Sequence, residues 1–264
     1  MEILGYISAI LIGLSLGLIG GGGSILTVPI LVYLLGIEAA ETAPAYSLFV
    51  VGTASLIGAS IKYKQGFVDL KTSIIFGIPA IFTVYATRRF LVPSIPDEIF
   101  TIDNFIFTKR IFVMGLFAIL MILASVSMIK GRKDKQQEGE QKFNYPLILI
   151  EGVLVGVLTG LVGAGGGFII IPALVMLSNL PMKKAIGTSL AIIAAKSLFG
   201  FLGDVANISI DWKLLLVFTA LAVAGIFIGN QLSHKIDGSK LKKGFGFFVL
   251  IMGAIILIKE IFII

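Results

Sequence analysis

The sequence predicts an all-α polytopic integral membrane protein with about ten transmembrane or partly re-entrant helices, in two five-segment repeats of inverted topology. Its composition, its long uncharged runs and an internal repeat predict this fold. Of 264 residues, 57% are hydrophobic and only 14% are charged, against about 45–50% and about 25% in soluble proteins. One spanning helix needs about 20 apolar residues, so the chain has room for about ten.

The uncharged runs of the first half define five segments. Between Glu2 and Glu38 lie 35 residues without a charge, too many for one upright span. The glycines and serine at 20–24 divide this run, so segment 1 is expected near 3–19 and a short segment 2 near 25–37. Segment 3 is expected near 45–61, segment 4 near 72–87 with a kink at Pro79, and segment 5 near 111–129.

The second half repeats this layout after a polar stretch. Residues 130–142 are rich in charge, Gln and Gly without apolar periodicity, which is typical of a solvated linker. Further segments are expected near 146–163, 168–178, 186–203, 214–232 and 244–263. We therefore divide the chain into an N-terminal repeat (1–129), a polar linker (130–145) and a C-terminal repeat (146–264). The first segment lacks the features of a cleaved signal peptide and is expected in the mature chain.

The two halves align with each other in sequence. At an offset of 143, all the glycines of 13–23 except Gly21 match those of 156–166, and Pro29 matches Pro172. One gap changes the offset to 142, which pairs Ser47 with Ser189 and continues to the Asp-x-Lys elements at 69–71 and 211–213. Five segments per half is an odd number, so the repeats must be inverted. The parity survives if segments 1 and 2 form a re-entrant hairpin. Repeats of this kind are typical of transporters that bind substrate near the bilayer midplane.

The basic residues predict the orientation. The loops at 62–71, 130–142, 183–184 and 234–243 fall on one side and hold 14 of the 21 Lys and Arg residues. By the positive-inside rule this side is cytoplasmic, so the linker at 130–142 lies inside and both termini lie outside. The net charge of +6 then reflects the basic residues of the cytoplasmic loops. We expect no nucleic-acid partner.

Several chemistries are disfavoured by what the sequence lacks. There is no cysteine and one histidine, so disulfides, thiolate chemistry and histidine metal cages are not expected. No G-x-x-x-x-G-K-S/T motif occurs, which disfavours nucleotide hydrolysis. Lys196 and Ser197 are adjacent and project about 100° apart on a helix, a poor arrangement of nucleophile and base. We predict neither an enzyme nor a cofactor.

Two glycine-rich turns inside the apolar runs are the main chemical signal. Glycines spaced three and four apart before each turn favour close helix packing. The turns themselves would leave backbone groups unsatisfied in hydrocarbon unless they are buried in protein or line a cavity. A helix that restarts there directs free N–H groups and a charge of roughly +0.5 at its surroundings, which suits a small anion. The candidate anion-binding residues are Gly21, Gly22, Gly23 and Ser24 in the first half, and Gly165, Gly166 and Gly167 in the second.

Other polar residues supplement these turns. Hydroxyls at equivalent positions, Ser47 in segment 3 and Thr188 and Ser189 in segment 8, either contact the anion or bond between helices. Lys196 is the basic residue placed within a predicted span, where an ionisable group is a functional hypothesis; it attracts an anion, pairs with an acid or snorkels. Residues interpreted mainly as structural are the helix-start acids Asp69 and Asp211 and the interfacial anchors or rim Arg88 and Arg89. Glu151 is the main acidic candidate for ion coupling.

Through these residues the sequence resembles the TauE/SafE family of sulfite exporters. The resemblance rests on the paired glycine motifs at 17–24 and 160–167 with their prolines, on Ser47 and the Gly-Thr-Ser element at 187–189, on the linker and on the length. It implies a multi-pass membrane transporter for small, mostly sulfur-containing anions. Gly21 and Ser24 stand opposite Ala164 and Gly167, so the two half-sites differ chemically.

The function predicted from the residues and the resemblance is secondary transport of small anions by alternating access. Sulfur oxyanions or sulfonates such as sulfite, sulfoacetate and thiosulfate are the expected substrates. The alternatives are an anion channel and a transporter of a non-sulfur organic anion. The expected partners are the anion and the lipid bilayer of the cell membrane, and a homodimer is compatible with ten segments.

Overall fold

The computed structural model describes residues 2–102, 105–130, 145–177, 180–233 and 238–262, most of which are helical. The first half contains α1 (Glu2–Ile19), α2 (Thr27–Tyr33), α3 (Thr42–Lys64), α4 (Leu70–Ser94) and α5 (Lys109–Lys130). The second half contains α6 (Tyr145–Val162), α7 (Gly167–Leu177), α8 (Met182–Asp204), α9 (Trp212–Leu232) and α10 (Gly238–Phe262). Each of these helices overlaps one expected segment.

The region after segment 4 differs from the expected open loop at 88–110. Helix α4 is continuous through Pro79 to Ala86, continues through a π-helical turn (Thr87–Leu91) and ends with Val92–Ser94. An antiparallel hairpin of β1 (Glu98–Ile102) and β2 (Phe105–Thr108) comes next. Both strands are rich in Ile, Phe and Thr, which favour pleated structure. The boundary of segment 4 was therefore wrong by about two turns.

Two loops on the predicted cytoplasmic side are shorter than expected. Lys183 and Lys184 belong to the first turn of α8, and α10 begins at Gly238 instead of near 244. Most of the predicted linker, residues 131–144, lies outside the described residues; α5 ends at Lys130 before it and α6 begins at Tyr145 after it.

The surface of the helices is apolar, as expected for a protein in lipid. Large hydrophobic side chains are exposed along the outer faces, including Phe82 at 72%, Phe90 at 64% and Leu123 at 62%. Soluble monomers rarely expose this many large apolar side chains together. Five of the described helices are long and apolar enough to cross a membrane, and shorter apolar helices accompany them. The chain is a multi-pass membrane protein.

The helices that come after the glycine turns are short. Helix α2 has seven residues and α7 has 11, so they are about 10 and 17 Å long at 1.5 Å per residue. The hydrocarbon core is about 30 Å thick. Neither helix alone can cross it, so both are half-helices that begin within the bundle.

Glycine faces join the two halves of the chain. Helix α1 packs along α9, where a Cβ on Gly13 would overlap the Ala222 carbonyl and one on Gly17 would lie 2.6 Å from the Ile226 carbonyl oxygen. Helix α6 packs in the same way along α4, with Gly152 against Pro79 and Gly160 against Thr87. In both pairs residue numbers rise together along the interface, so each pair is parallel. The glycines spaced four apart permit this close approach.

Two further helix pairs between the halves, α3 with α8 and α5 with α10, are antiparallel. In α3 and α8, Gly52 lies against Leu198, whereas Lys62, later in α3, lies against Gly187, earlier in α8. In α5 and α10, glycines of α10 pack in reverse order along α5: a Cβ on Gly246 would lie 3.0 Å from the Met128 side chain, and one on Gly253 would lie 3.1 Å from that of Met121. The two halves therefore form one interleaved bundle with the glycine turns at its centre.

Candidate functional site

The two glycine turns, residues 20–24 and 163–167, lie directly against each other. A Cβ on Gly21 would collide with the backbone of Gly167, and one on Gly167 would collide with the backbone of Gly21. One on Gly165 would lie 2.9 Å from the Cβ of Ser24. No side chain separates the two backbones here, so the candidate residues Gly21, Ser24, Gly165 and Gly167 share one buried junction.

Each turn opens with a left-handed glycine. Gly20 has φ 75° and Gly163, its equivalent, has φ 73°, a conformation that glycine adopts without steric strain. The backbone conformations of the two turns differ after this glycine. The first turn continues as a 3₁₀ helix, Gly21–Leu26, whereas the second leads into α7. The two half-sites are thus related in their entry but different in their backbone.

Lys196 of α8 reaches the second turn. Its side chain is 0% exposed, and its Nζ donates a 2.7 Å hydrogen bond to Thr159 Oγ1. A Cβ on Gly166 would lie 3.5 Å from this Nζ. No ion pair joins Lys196 to a carboxylate within the described ranges. Of the three alternatives for this residue, the structure disfavours both the acid pair and snorkelling.

The start of α7 adds to the positive potential at this point. The Gly166 carbonyl oxygen accepts bonds from the N–H groups of Ile169 at 2.9 Å and Ile170 at 3.0 Å. The first N–H groups of a helix have no partner within it, and they carry the positive end of the helix dipole. The Lys196 ammonium therefore lies against the same glycine turn from which α7 starts.

The candidate hydroxyls have different surroundings. Ser47 Oγ is buried and has no hydrogen-bond partner. Ser24 and Ser189 instead donate to carbonyl oxygens three residues earlier, those of Gly21 at 2.6 Å and Ile186 at 2.8 Å. Of these three, Ser47 is the hydroxyl that is free to contact a ligand without breaking a bond.

Thr188 belongs to a structural contact that occurs twice. Its Oγ1 accepts a 2.9 Å bond from the Asp69 backbone N–H, and at the equivalent place Tyr46 Oη accepts one of 2.6 Å from Asp211. Both aspartates also cap their helices, through Thr72 and Leu214. The interpretation of Asp69 and Asp211 as helix-start acids agrees with this geometry.

Gly23, another candidate glycine of the first turn, has different contacts from Gly21. A Cβ on Gly23 would be 2.6 Å from the Leu16 backbone nitrogen and 2.9 Å from the Ile12 carbonyl oxygen, so Gly23 packs back on α1. Gly22 lies between Gly21 and Gly23 in the 3₁₀ helix.

Thr159 is a site residue that the sequence interpretation missed. It is 1% exposed and orients the Lys196 ammonium, while its own hydroxyl donates to the Val155 carbonyl oxygen at 2.6 Å. The available signal was an asymmetry between the repeats, because Thr159 is equivalent to Leu16 and Lys196 to Ala54. The charged contact thus exists in one half only.

Arg88 is neither a rim residue nor an interfacial anchor. It is 0% exposed, and its Nε donates to both carboxylate oxygens of Asp204 at 2.8 and 2.7 Å. Its other nitrogens donate to the carbonyl oxygens of Glu41 at 2.9 Å and Gly160 at 3.3 Å. Arg88 therefore connects α4, α6 and α8 with the segment before α3, at one end of the bundle.

We expect Asp204→Asn to destabilise the protein strongly. The substitution leaves the buried Arg88 guanidinium without a carboxylate, a change that costs about 3–5 kcal/mol of unfolding free energy. Thermal unfolding in detergent measures the loss. Arg89→Gln is the matched control, since Arg89 forms one exposed bond to Asn207 and should contribute about 1 kcal/mol or less. Equal unfolding temperatures for Asp204→Asn and the wild type would contradict this role of the pair.

Comparison with known proteins gives a consistent result. The sequence profile of the family described as Sulfite exporter TauE/SafE matches residues 6–256. A probable membrane transporter protein of Xylella fastidiosa is 29% identical over 91% of this chain and 88% of its own. The probable membrane transporter protein MJ0441 of Methanocaldococcus jannaschii is 30% identical over 94% of both chains. A third relative, YdhB of Bacillus subtilis, carries the same description at 25% identity over 94% of this chain and 96% of its own.

No solved structure matches the chain significantly. The family profile covers both glycine turns, Lys196 and the Arg88–Asp204 pair, and the curated relatives align over nearly their whole length. The resemblance found at the glycine motifs is confirmed, and the chain belongs to the TauE/SafE sulfite exporter family of membrane transporters.

Proposed function

We propose that the protein is a secondary transporter of small anions that binds its substrate between the two glycine turns. The observation that carries this proposal is Lys196, a fully buried cation without a carboxylate partner among the described residues. Two of the other buried cations, Arg88 and Lys109, are each paired with a carboxylate. An ammonium left unpaired in the centre of a membrane protein is expensive and marks a functional site.

The energies favour an anionic ligand at this point. Desolvating an ammonium group costs several kcal/mol, and one hydroxyl partner, Thr159, repays little of it. An anion about 4 Å from the Lys196 Nζ would gain roughly 4 kcal/mol at an effective dielectric constant of 20. The N–H groups at the start of α7 would add neutral donors.

Sulfur oxyanions or sulfonates, such as sulfite, thiosulfate and sulfoacetate, are the proposed substrates. The family description names sulfite, and these anions are small enough to be coordinated by one ammonium and a few N–H and O–H donors. Because the residue equivalent to Lys196 in the first repeat is Ala54, the site has one lysine and not two, which suits one small anion.

We further propose that the two halves are inverted repeats that move against each other. The parallel packing of α1 with α9 and of α6 with α4 supports this. If the second repeat had the same orientation as the first, α9 would run in the direction of its equivalent, α4, and both helix pairs would be antiparallel. The backbones of Gly21 and Gly167 are in contact, so no space for an anion lies between these two glycines in this conformation. The turns must then separate for an anion to pass, which favours alternating access over an open channel.

Labelling of single cysteines tests the proposed orientation. The chain has no native cysteine, so no background needs to be removed. Gln136→Cys in the linker should react with an impermeant maleimide only after cells are opened, whereas Glu98→Cys in the exposed hairpin should react in intact cells. The opposite pattern would reverse the proposed topology.

Transport of a panel of anions tests the substrate class. We expect saturable uptake of labelled thiosulfate into proteoliposomes, inhibited by sulfite and sulfoacetate and only weakly by acetate. Inhibition by acetate alone would favour a non-sulfur organic anion as substrate. Absence of saturable flux for every anion in the panel would contradict the proposed function.

A further inference from the structure

The two ends of the bundle carry different side chains at equivalent positions. At the offset of 142 that relates the repeats, Arg88 is equivalent to Asn230 and Asp204 is equivalent to Lys62. One end therefore holds a buried, neutralised ion pair. The other end has an amide and an ammonium in its place.

The local packing at the two ends is also equivalent. Gly200 of α8 lies against Val84 of α4, with a Cβ placed 3.0 Å from the Val84 side chain, and one turn further on Asp204 meets Arg88. Gly58 of α3 lies in the same way against Ile226 of α9, at 2.7 Å.

Helices α3 and α9 run parallel, and this direction determines which residues meet one turn beyond Gly58. Tyr46 bonds to the backbone of Asp211 near the start of both helices, and Gly58 meets Ile226 further along both. One more turn therefore brings Lys62 and Asn230 to facing positions, as it brings Asp204 to Arg88 at the other end.

Lys62 is buried there without a compensating charge. It is 8% exposed, and no ion pair joins it to any carboxylate in the part of the chain that the structure describes. The Asn230 Oδ1 is also buried and accepts no hydrogen bond. A rotation of this amide by 180° would present its NH₂ group, a donor, at the same place. A buried charge without a counter-charge and a buried amide oxygen without a hydrogen bond are both costly.

A second cation, Lys183, lies near Lys62. Lys183 is exposed at the start of α8, its Nζ lies 5.9 Å from the centre of the Phe67 ring, and its charge repels that of Lys62. The absence of a side chain at Gly187 lets α8 pack closely against Lys62 and Phe67, because a Cβ there would meet the Phe67 backbone and lie 3.2 Å from the Lys62 Cβ. Two like charges are thus held near each other, and neither forms an ion pair with an acid among the described residues.

We propose that Lys62, Asn230 and Lys183 form a second anion-binding site, which receives the transported oxyanion before or after it occupies the Lys196 site. An oxyanion here would accept hydrogen bonds from the Lys62 ammonium and the Asn230 amide, and its charge would relieve the repulsion between the two lysines. The inference rests on the proposed anion transport. It places a second anion site at the end of the bundle opposite the Arg88–Asp204 pair, on the side predicted to be cytoplasmic.

Equilibrium binding of labelled thiosulfate to the purified full-length protein tests this site. The variants are Lys62→Gln, Lys196→Gln and the double substitution. Lys64→Gln, which removes an exposed charge two residues away, is the matched control, and Lys62→Arg keeps the charge. Size-exclusion chromatography verifies that each variant is folded.

The wild type, Lys64→Gln and Lys62→Arg should bind two anions, each single glutamine variant one, and the double variant none. Lys62→Gln should also raise the half-saturating concentration for flux at least tenfold from the Lys62 side and not from the other side. Unchanged stoichiometry in Lys62→Gln would overturn this inference while leaving the Lys196 site in place. Unchanged stoichiometry in Lys196→Gln, with loss in Lys62→Gln, would contradict the proposed central site and support the second one.

Discussion

Replacing Lys196 with methionine is expected to abolish anion flux while the protein becomes equally or more stable. Methionine has a similar length and no charge, so it removes the desolvation cost of a buried ammonium. The partner hydroxyl of Thr159 keeps its bond to the Val155 carbonyl oxygen. We expect the free energy of unfolding to rise by about 1 kcal/mol or more.

The loss of flux should be large because the charge is the main attraction for the anion. A charge-assisted hydrogen bond contributes about 1.5–3 kcal/mol, which corresponds to roughly a 10- to 150-fold change in binding. Thermal unfolding and thiosulfate uptake are measured on the same preparations. Lys184→Met, at an exposed position, is the control and should change neither. A Lys196→Met protein that is destabilised yet transports normally would mean that Lys196 has a structural role.

Replacing Gly167 with alanine is expected to prevent the two glycine turns from meeting. The added Cβ would overlap the Gly21 backbone and lie 2.6 Å from its carbonyl oxygen. Backbone cannot move aside as a side chain can, so one turn must shift. Overpacking of this kind costs about 1–3 kcal/mol, and the shift would also move the start of α7 relative to Lys196. We expect lower stability and loss of flux.

Two other glycines provide matched controls for this substitution. Gly77 in α4 and Gly115 in α5 have nothing within 4 Å of an added Cβ. Alanine at either position should be neutral or stabilising by up to about 1 kcal/mol, because glycine is a poor helix former. Substitutions of Gly22 and Gly166 by valine should also abolish flux. Normal transport by Gly167→Ala would show that the turns need not touch during the transport cycle.

The helical segments and the glycine turns could be predicted from sequence because both depend on local composition. The charge-free run from residue 3 to residue 37 and its interruption at 20–24 correspond to α1, the 3₁₀ helix and α2. The hairpin at 98–108 was missed because its strands are short and lie between charged residues, without the length or periodicity of a helix.

The pairing of buried charges could not be predicted, because it depends on residues far apart in the chain. Arg88 and Asp204 are separated by 116 positions, and each lies at the end of an apolar run, where a charged residue is usually an interfacial anchor. Lys196 could be identified as unusual from its place in a span. That it lacks an acid partner among the described residues became apparent only once the surrounding helices were in place.

The differences between the two repeats are as informative as their matches. Pairs that match, such as Asp69 with Asp211, have structural roles in both halves. Pairs that differ, such as Leu16 with Thr159 and Ala54 with Lys196, mark the position where one half is specialised for charge. In this chain, departures from the internal symmetry are better indicators of the candidate site than the symmetry itself.

Counterflow in proteoliposomes tests the central claim most directly. Vesicles loaded with unlabelled thiosulfate are diluted into a low concentration of labelled thiosulfate, and the label inside is followed with time. A carrier that exposes one anion site alternately to the two sides should accumulate label transiently above its equilibrium level, and Lys196→Met should abolish this overshoot. A monotonic approach to equilibrium in the wild type, without overshoot, would contradict alternating access at this site.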